Sequence, residues 1–206
     1  MSLTREQLAR EIIDAGRFLY GRGWSPATSS NYSARLAPDQ ALLTVSGKHK
    51  GQLGVDDVLA TDLDGNSLEP GKKPSAETLL HTQLYRWRPE IGAVLHTHSV
   101  NATVLSRLTA EAFIVFEDYE LQKAFSGVST HESRVRVPIF DNDQDIARLA
   151  AKVQPWLDEH SDCVGYLIRG HGLYTWGTRM SDALRQIEAF EFLFECELKT
   201  RALLNR

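Results

Sequence analysis

Eight strand-length apolar runs, set against five stretches of helical length, constrain the fold of this 206-residue chain more than any other feature. The runs are Asn31–Leu36, Ala41–Val45, Val58–Leu63, Gly92–Thr97, Ala112–Phe116, Val135–Phe140, Cys163–Arg169 and Leu173–Trp176. Several are joined by turn signals too short to hold a helix, such as Pro38-Asp39 and Gly170-His171-Gly172. Strict alternation of strand and crossover helix cannot be built this way, so the pattern predicts a mixed or mainly antiparallel sheet covered by helices. The first helix is signalled by Thr4 and Gln7 at capping-box spacing, then Leu8, Ile12, Ala15 and Leu19 on one face, with Gly21 and Gly23 as its stop. Ser75 is expected to cap a second helix, in which Leu80, Leu84 and Trp87 share a face and Pro89 closes the segment. Val100, Val104 and Leu108 mark a third. Ile146, Leu149 and Val153 mark a fourth that Pro155 should end or kink, and Ser181–Leu204 is the last.

The length fits one domain over residues 1–206, with no repeat, linker or low-complexity tract. Hydrophobic residues at 42% and charged residues at 24% describe an ordinary globular chain. A net charge of −4 without a basic run argues against nucleic acid as a partner. No stretch approaches the apolar length of a membrane span, and the opening Met-Ser-Leu-Thr-Arg-Glu has no signal-type apolar core. Cys163 and Cys196 form no C-x-x-C pair, which fits a reducing, cytoplasmic setting. Neither G-x-G-x-x-G nor a P-loop occurs, so nucleotide-binding folds lose weight.

The sharpest chemical signal is Leu95-His96-Thr97-His98-Ser99. Residues i and i+2 of a strand point to the same face, so His96 and His98 converge, as a divalent-metal site requires; the plainer alternative is two polar residues closing a strand. His171, between Gly170 and Gly172, would complete a three-histidine set with an open position, or else is a turn histidine in water. His81, His131 and His160 show no partner pattern and are taken as structural. Glu77 and Glu120 are candidate acid/base groups, although a carboxylate near a helix start also suits the helix dipole, and Glu120 could equally be an ordinary surface residue. Glu120 follows a strand, which could set it at a sheet edge near the metal. Thr28-Ser29-Ser30-Asn31, Ser46-Gly47-Lys48-His49-Lys50-Gly51 and Ser75 supply hydroxyls, loop amides and a lysine, the means of holding a phosphate without a P-loop.

Taken in order, Ser-Ser-Asn, Ser-Gly-Lys, Pro-Ser-Ala-Glu, His-Thr-His and Gly-His-Gly resemble the class II aldolase/adducin family from about Glu6 to Leu204. Within it, Ser46-Gly47-Lys48-His49-Lys50-Gly51, Asp118-Tyr119-Glu120-Leu121-Gln122-Lys123 and His171-Gly172-Leu173-Tyr174-Thr175-Trp176-Gly177 are most similar to the branch that dehydrates 5-methylthioribulose 1-phosphate in methionine salvage. The resemblance implies an α/β/α fold around a largely antiparallel sheet, one zinc ion held by His96, His98 and His171, and a homotetramer with active sites between neighbouring subunits. It maps Thr28, Ser29, Asn31, Ser46, Gly47, Lys50 and Ser75 onto phosphate-binding loops, and Glu120 onto the dehydratase's general acid/base. Glu77 matches the catalytic glutamate of the sugar-phosphate aldolases, which keeps a zinc-dependent aldolase or epimerase as the competing activity. A metal-free, adducin-like binding protein would lack the histidine triad.

Overall fold

A computed structural model describes residues 3–204, and its central feature is one eight-stranded sheet. The strands are β1 (Asn31–Ala37), β2 (Gln40–Thr44), β3 (Val58–Asp62), β4 (Ala93–Thr97), β5 (Phe113–Phe116), β6 (Val135–Phe140), β7 (Gly165–Ile168) and β8 (Gly172–Gly177), in the order β3-β2-β1-β4-β8-β7-β6-β5. Only β6 and β7 pair in parallel; the other six neighbouring pairs are antiparallel. The mixed, mainly antiparallel sheet read from the short turns is therefore present.

Five helices cover both faces. They are α1 (Arg5–Gly21), α2 (Thr78–Trp87), α3 (Val100–Leu108), α4 (Ile146–Glu159) and α5 (Met180–Leu204). Alternation along each strand divides the core. Tyr32, Ala34, Leu95 and Leu173 face the layer of α1, α3 and α5, packing with Ile12, Leu105 and Phe190. Val94, Tyr166, Tyr174 and Trp176 face α2 and α4, packing with Leu84, Leu149 and Val153. The result is a three-layer α/β/α arrangement.

The α1 capping box between Thr4 and Gln7 forms as read. Three other helical expectations change. Helix α2 starts at Thr78 rather than after Ser75. Ser75 instead holds a turn, accepting the Thr78 amide on its carbonyl at 3.2 Å and the Glu77 amide on its hydroxyl at 3.3 Å. Helix α4 runs through Pro155 to Glu159, because the proline stands on the exposed side, where water solvates the carbonyl it leaves unpaired. Helix α3 buries Ala102, Leu105 and Ser106, whereas Val100, Val104 and Leu108 point outward at 74%, 38% and 62% exposure.

Candidate metal centre and anion pocket

Strand β4 lies in the middle of the sheet, between β1 and β8. Its register sets Asn31 opposite His96 on one side and Tyr174 opposite His96 on the other. His98 follows two residues on, beyond the strand end, and its amide donates to the Trp24 carbonyl at 2.8 Å. His171 arrives from the β7–β8 turn, where Gly170 takes a left-handed φ of +65°. A Cβ on Gly172 would lie 2.0 Å from the Thr97 carbonyl oxygen, so the turn closes against β4 only with glycine there.

These three histidines and Glu77 each offer one ligand atom within 4.8 Å of the others. Glu77 Oε2 lies 3.3 Å from His96 Nε2 and Glu77 Oε1 lies 3.2 Å from His171 Nε2. The two Nε2 atoms of His96 and His171 are 3.3 Å apart. The other ring nitrogens settle which electron pairs meet. His96 Nδ1 donates to the Leu173 carbonyl at 2.9 Å, and His171 Nδ1 donates to Asn142 Oδ1 at 3.3 Å, so in both rings Nε2 is the nitrogen turned to the cluster. Burial lowers His96 to about 4, and burial with the neighbouring imidazoles lowers His98 to about 2. Burial alone would raise the Glu77 carboxyl, but the adjacent histidines and the Asn31 amide outweigh it and hold Glu77 well below the usual carboxylate range. The ring nitrogens of three histidines and a carboxylate converge this closely as they would around a shared cation. That donor set fits a divalent metal.

The cluster opens into a cavity of about 610 Å³, lined by Glu77, His98 and His171 and by the seven residues that the resemblance maps onto phosphate-binding loops: Thr28, Ser29, Asn31, Ser46, Gly47, Lys50 and Ser75. Ala27, just before the first of these segments, and Ser30, within it, stand at φ +54° and +71°, backbone strain of a kind that gathers at ligand sites. Lys50 is buried, and its ammonium donates to the carbonyls of Thr28 at 3.2 Å and Lys48 at 2.6 Å. Burial pulls it down to about 8, against the opposing pull of Asp57. Asn31 differs from its expected role, since its amide is engaged with Glu77 on one side and His81 on the other.

Glu120 does not join this cavity. It begins a short 3-10 turn, Glu120–Ala124, pairs with Lys123 on the surface, and borders a separate groove with Tyr119, Leu121 and Phe192. The expectation of a position near the metal is not met within one chain. The β6–α4 segment Asn142-Asp143-Gln144 with Ile146, and Thr103, also line the cavity, and nothing in their spacing pointed there. Nor did spacing reveal Tyr174, which donates to Glu77 Oε2 at 3.0 Å and stacks on His96 at 4.0 Å between ring centroids.

The family model for the class II aldolase and adducin N-terminal domain matches residues 10–198. The chain belongs to that family. It is 89% identical, over 100% of its own length and 99% of the relative's, to a protein of Pseudomonas fluorescens (strain Pf0-1) named methylthioribulose-1-phosphate dehydratase. A protein of the same name in Azotobacter vinelandii is 81% identical over 100% of both chains. Among solved structures, the L-fuculose-1-phosphate aldolase of Thermus thermophilus superposes with a TM-score of 0.79 at 24% identity, covering 98% of this chain and 100% of that one. This last likeness bears on the fold, which is the family's α/β arrangement.

Proposed function

We propose that this chain is a zinc-dependent dehydratase that removes water from 5-methylthioribulose 1-phosphate, giving the 2,3-diketo-5-methylthiopentyl 1-phosphate of methionine salvage. The observation that carries it is one cavity lined both by Glu77, His98 and His171 of the histidine–glutamate cluster and by residues that offer hydroxyls, loop amides and a lysine. Full-length relatives at 81–89% identity bearing the dehydratase name support the same substrate. His96, His98 and His171 would hold the metal. When bound, it supplies Lewis acidity at the C2 carbonyl, an effect worth several kcal/mol of charge stabilisation. Thr28, Ser29, Ser46, Gly47, Ser75 and the Lys50 ammonium would grip the phosphate, with Asn31 at the edge of that set. Glu120 takes the C3 proton and returns it to the C4 hydroxyl, which departs as water. The enol left behind ketonises to the diketone.

In this scheme Glu120 reaches the cavity from a neighbouring subunit of a homotetramer. Support comes from the apolar side chains left outward, namely Val100 and Leu108 on α3 and Leu121 and Phe192 beside Glu120. Each subunit is one domain over 1–206 and works in the cytoplasm; among the described residues no helix is long and apolar enough to cross a membrane. Glu77, standing against the metal site, favours a second activity, retro-aldol cleavage of a ketose phosphate. One experiment separates the two. The zinc-loaded protein is incubated with 5-methylthioribulose 1-phosphate and the products are weighed by mass spectrometry. A product lighter by one water supports dehydration, whereas dihydroxyacetone phosphate with an aldehyde would replace it by the aldolase. Glu120→Gln is expected to keep its metal and lose at least about a hundredfold in turnover, the scale of a general acid/base. Near-normal turnover would remove Glu120 from the scheme.

A further inference from the structure

From Glu77 and Asn31, which line the cavity, an unbroken hydrogen-bonded chain runs inward between β1 and α2. Glu77 Oε2 is 2.7 Å from the Asn31 side-chain nitrogen, and Asn31 Oδ1 meets His81 Nε2. His81 Nδ1 lies 2.8 Å from Ser33 Oγ, which lies 2.8 Å from the Tyr85 hydroxyl. Asn31 and Ser33 are alternate residues of β1, and His81 and Tyr85 are one turn apart on α2, so strand and helix present matching spacings to each other. All four side chains are buried.

The direction of every link follows from its end. A carboxylate only accepts, so Asn31 turns its NH2 to Glu77 and its carbonyl oxygen to His81. A carbonyl oxygen only accepts, so His81 carries its proton on Nε2. Burial keeps that ring neutral, lowering it to about 3, which leaves Nδ1 bare. Ser33 must then donate to Nδ1 and accept from Tyr85. Each donor points toward Glu77, and reversing one link breaks its neighbour.

We propose that His81, as the Nε2–H tautomer, is a positioning residue that fixes the Asn31 amide and, through it, the Glu77 carboxylate against the metal cluster. Tyr174, donating to the same oxygen, is the second brace. Glu77 is thereby a fixed acceptor rather than a freely rotating carboxylate. The inference rests on the dehydratase reading only where turnover is the readout.

Magic-angle-spinning 15N spectra of the full-length protein labelled at histidine read the tautomer directly, with the signals lost in His81→Gln assigning the ring. A protonated Nε2 with a bare Nδ1 is expected; an Nδ1–H ring or a charged ring overturns the proposal. The second readout compares His81→Leu, which has no donor, with His81→Gln, whose amide can still donate toward Asn31. The leucine variant is expected to lose about ten- to a hundredfold in metal affinity or kcat, the usual scale for groups that orient metal ligands. Its KM for the ketose phosphate should stay within about twofold, a loss confined to steps after binding. The glutamine variant should recover most of the loss. Equal losses in both, or none in the leucine variant, overturn the proposal. Should the leucine variant not fold, the glutamine variant decides: near-native metal affinity supports the role, and a loss of about a hundredfold defeats it. If no methylthioribulose phosphate is turned over at all, the tautomer and the metal affinity still give the answer.

Discussion

Lys50 brings a buried ammonium to the cavity rim, with two of its three protons committed to the carbonyls of Thr28 and Lys48. Burial lowers it to about 8, so the free enzyme loses this charge as pH rises through that value. A bound phosphate dianion would hold the proton on, so the complex binds more protons than the free enzyme and affinity must fall with rising pH. KM measured from about pH 7 to about pH 10 is therefore expected to climb above about 8 while kcat stays level. Lys50→Met should flatten that climb and raise KM at neutral pH about ten- to a hundredfold, the loss of one hydrogen bond to a charged group. A KM independent of pH in the unaltered protein would remove Lys50 from phosphate binding. The buried histidines make the opposite pH claim about stability. His81, His96 and His98 are lowered to about 3, 4 and 2, so between pH 6.5 and about 4 the unfolded chain binds more protons than the folded one. Metal-free protein should lose several kcal/mol of stability over that interval, at up to about 1.4 kcal/mol per pH unit for each group. Denaturant titrations at about pH 7 and about pH 5 would reveal it as a falling midpoint, and an unchanged midpoint would mean that these rings are charged in the folded state.

At the level of elements, period two carried most of what the sequence disclosed. All eight strands appear within two residues of their expected limits, and His96 on β4 and His98 just beyond its end meet in one cluster. The three-residue turn before α2 was not legible: Ser75 looks like a helix cap, and only the packed turn shows Glu77 being delivered to His96 and His171. His81 and Tyr174 were illegible for a related reason, since a polar residue on a buried helix face gains meaning only from the strand opposite. Gly172 makes room for the β4 backbone, not for a ligand. Gly172→Ala sets a methyl against the Thr97 carbonyl and His96 Cε1, neither of which can move without disturbing the β4–β8 ladder. It is expected to cost about 1–3 kcal/mol by overpacking and to weaken metal binding, as read by denaturant unfolding and metal content. Full stability with full metal content would mean that the turn relaxes without moving His171.

For the whole molecule the decisive relation is between two surfaces that one chain keeps apart, the metal cavity and the groove beside Glu120. If activity needs both, a single subunit is incomplete, and the active assembly must bring Glu120 of one copy to the histidines of another. The exposed apolar faces of α3 and the Leu121–Phe192 groove are the material for that contact. Mixing tests this without a structure of the assembly. His96→Ala destroys the metal cluster and leaves Glu120 intact; Glu120→Gln does the reverse. Each variant alone is expected to be inactive. Unfolded together in equal amounts and refolded, they form hybrids in which about a quarter of the sites unite native histidines from one variant with native Glu120 from the other, by random assortment around a closed ring. Activity should rise toward that fraction of the native value, together with an equivalent fraction of sites carrying both metal and a working acid/base. The separately refolded variants, mixed only afterwards, should stay inactive unless subunits exchange. If co-refolding restores nothing, although oligomers form and metal is bound, then Glu120 serves its own chain's cavity or none. The acid/base group would in that case have to be sought among the residues that already line the cavity, with Glu77 first.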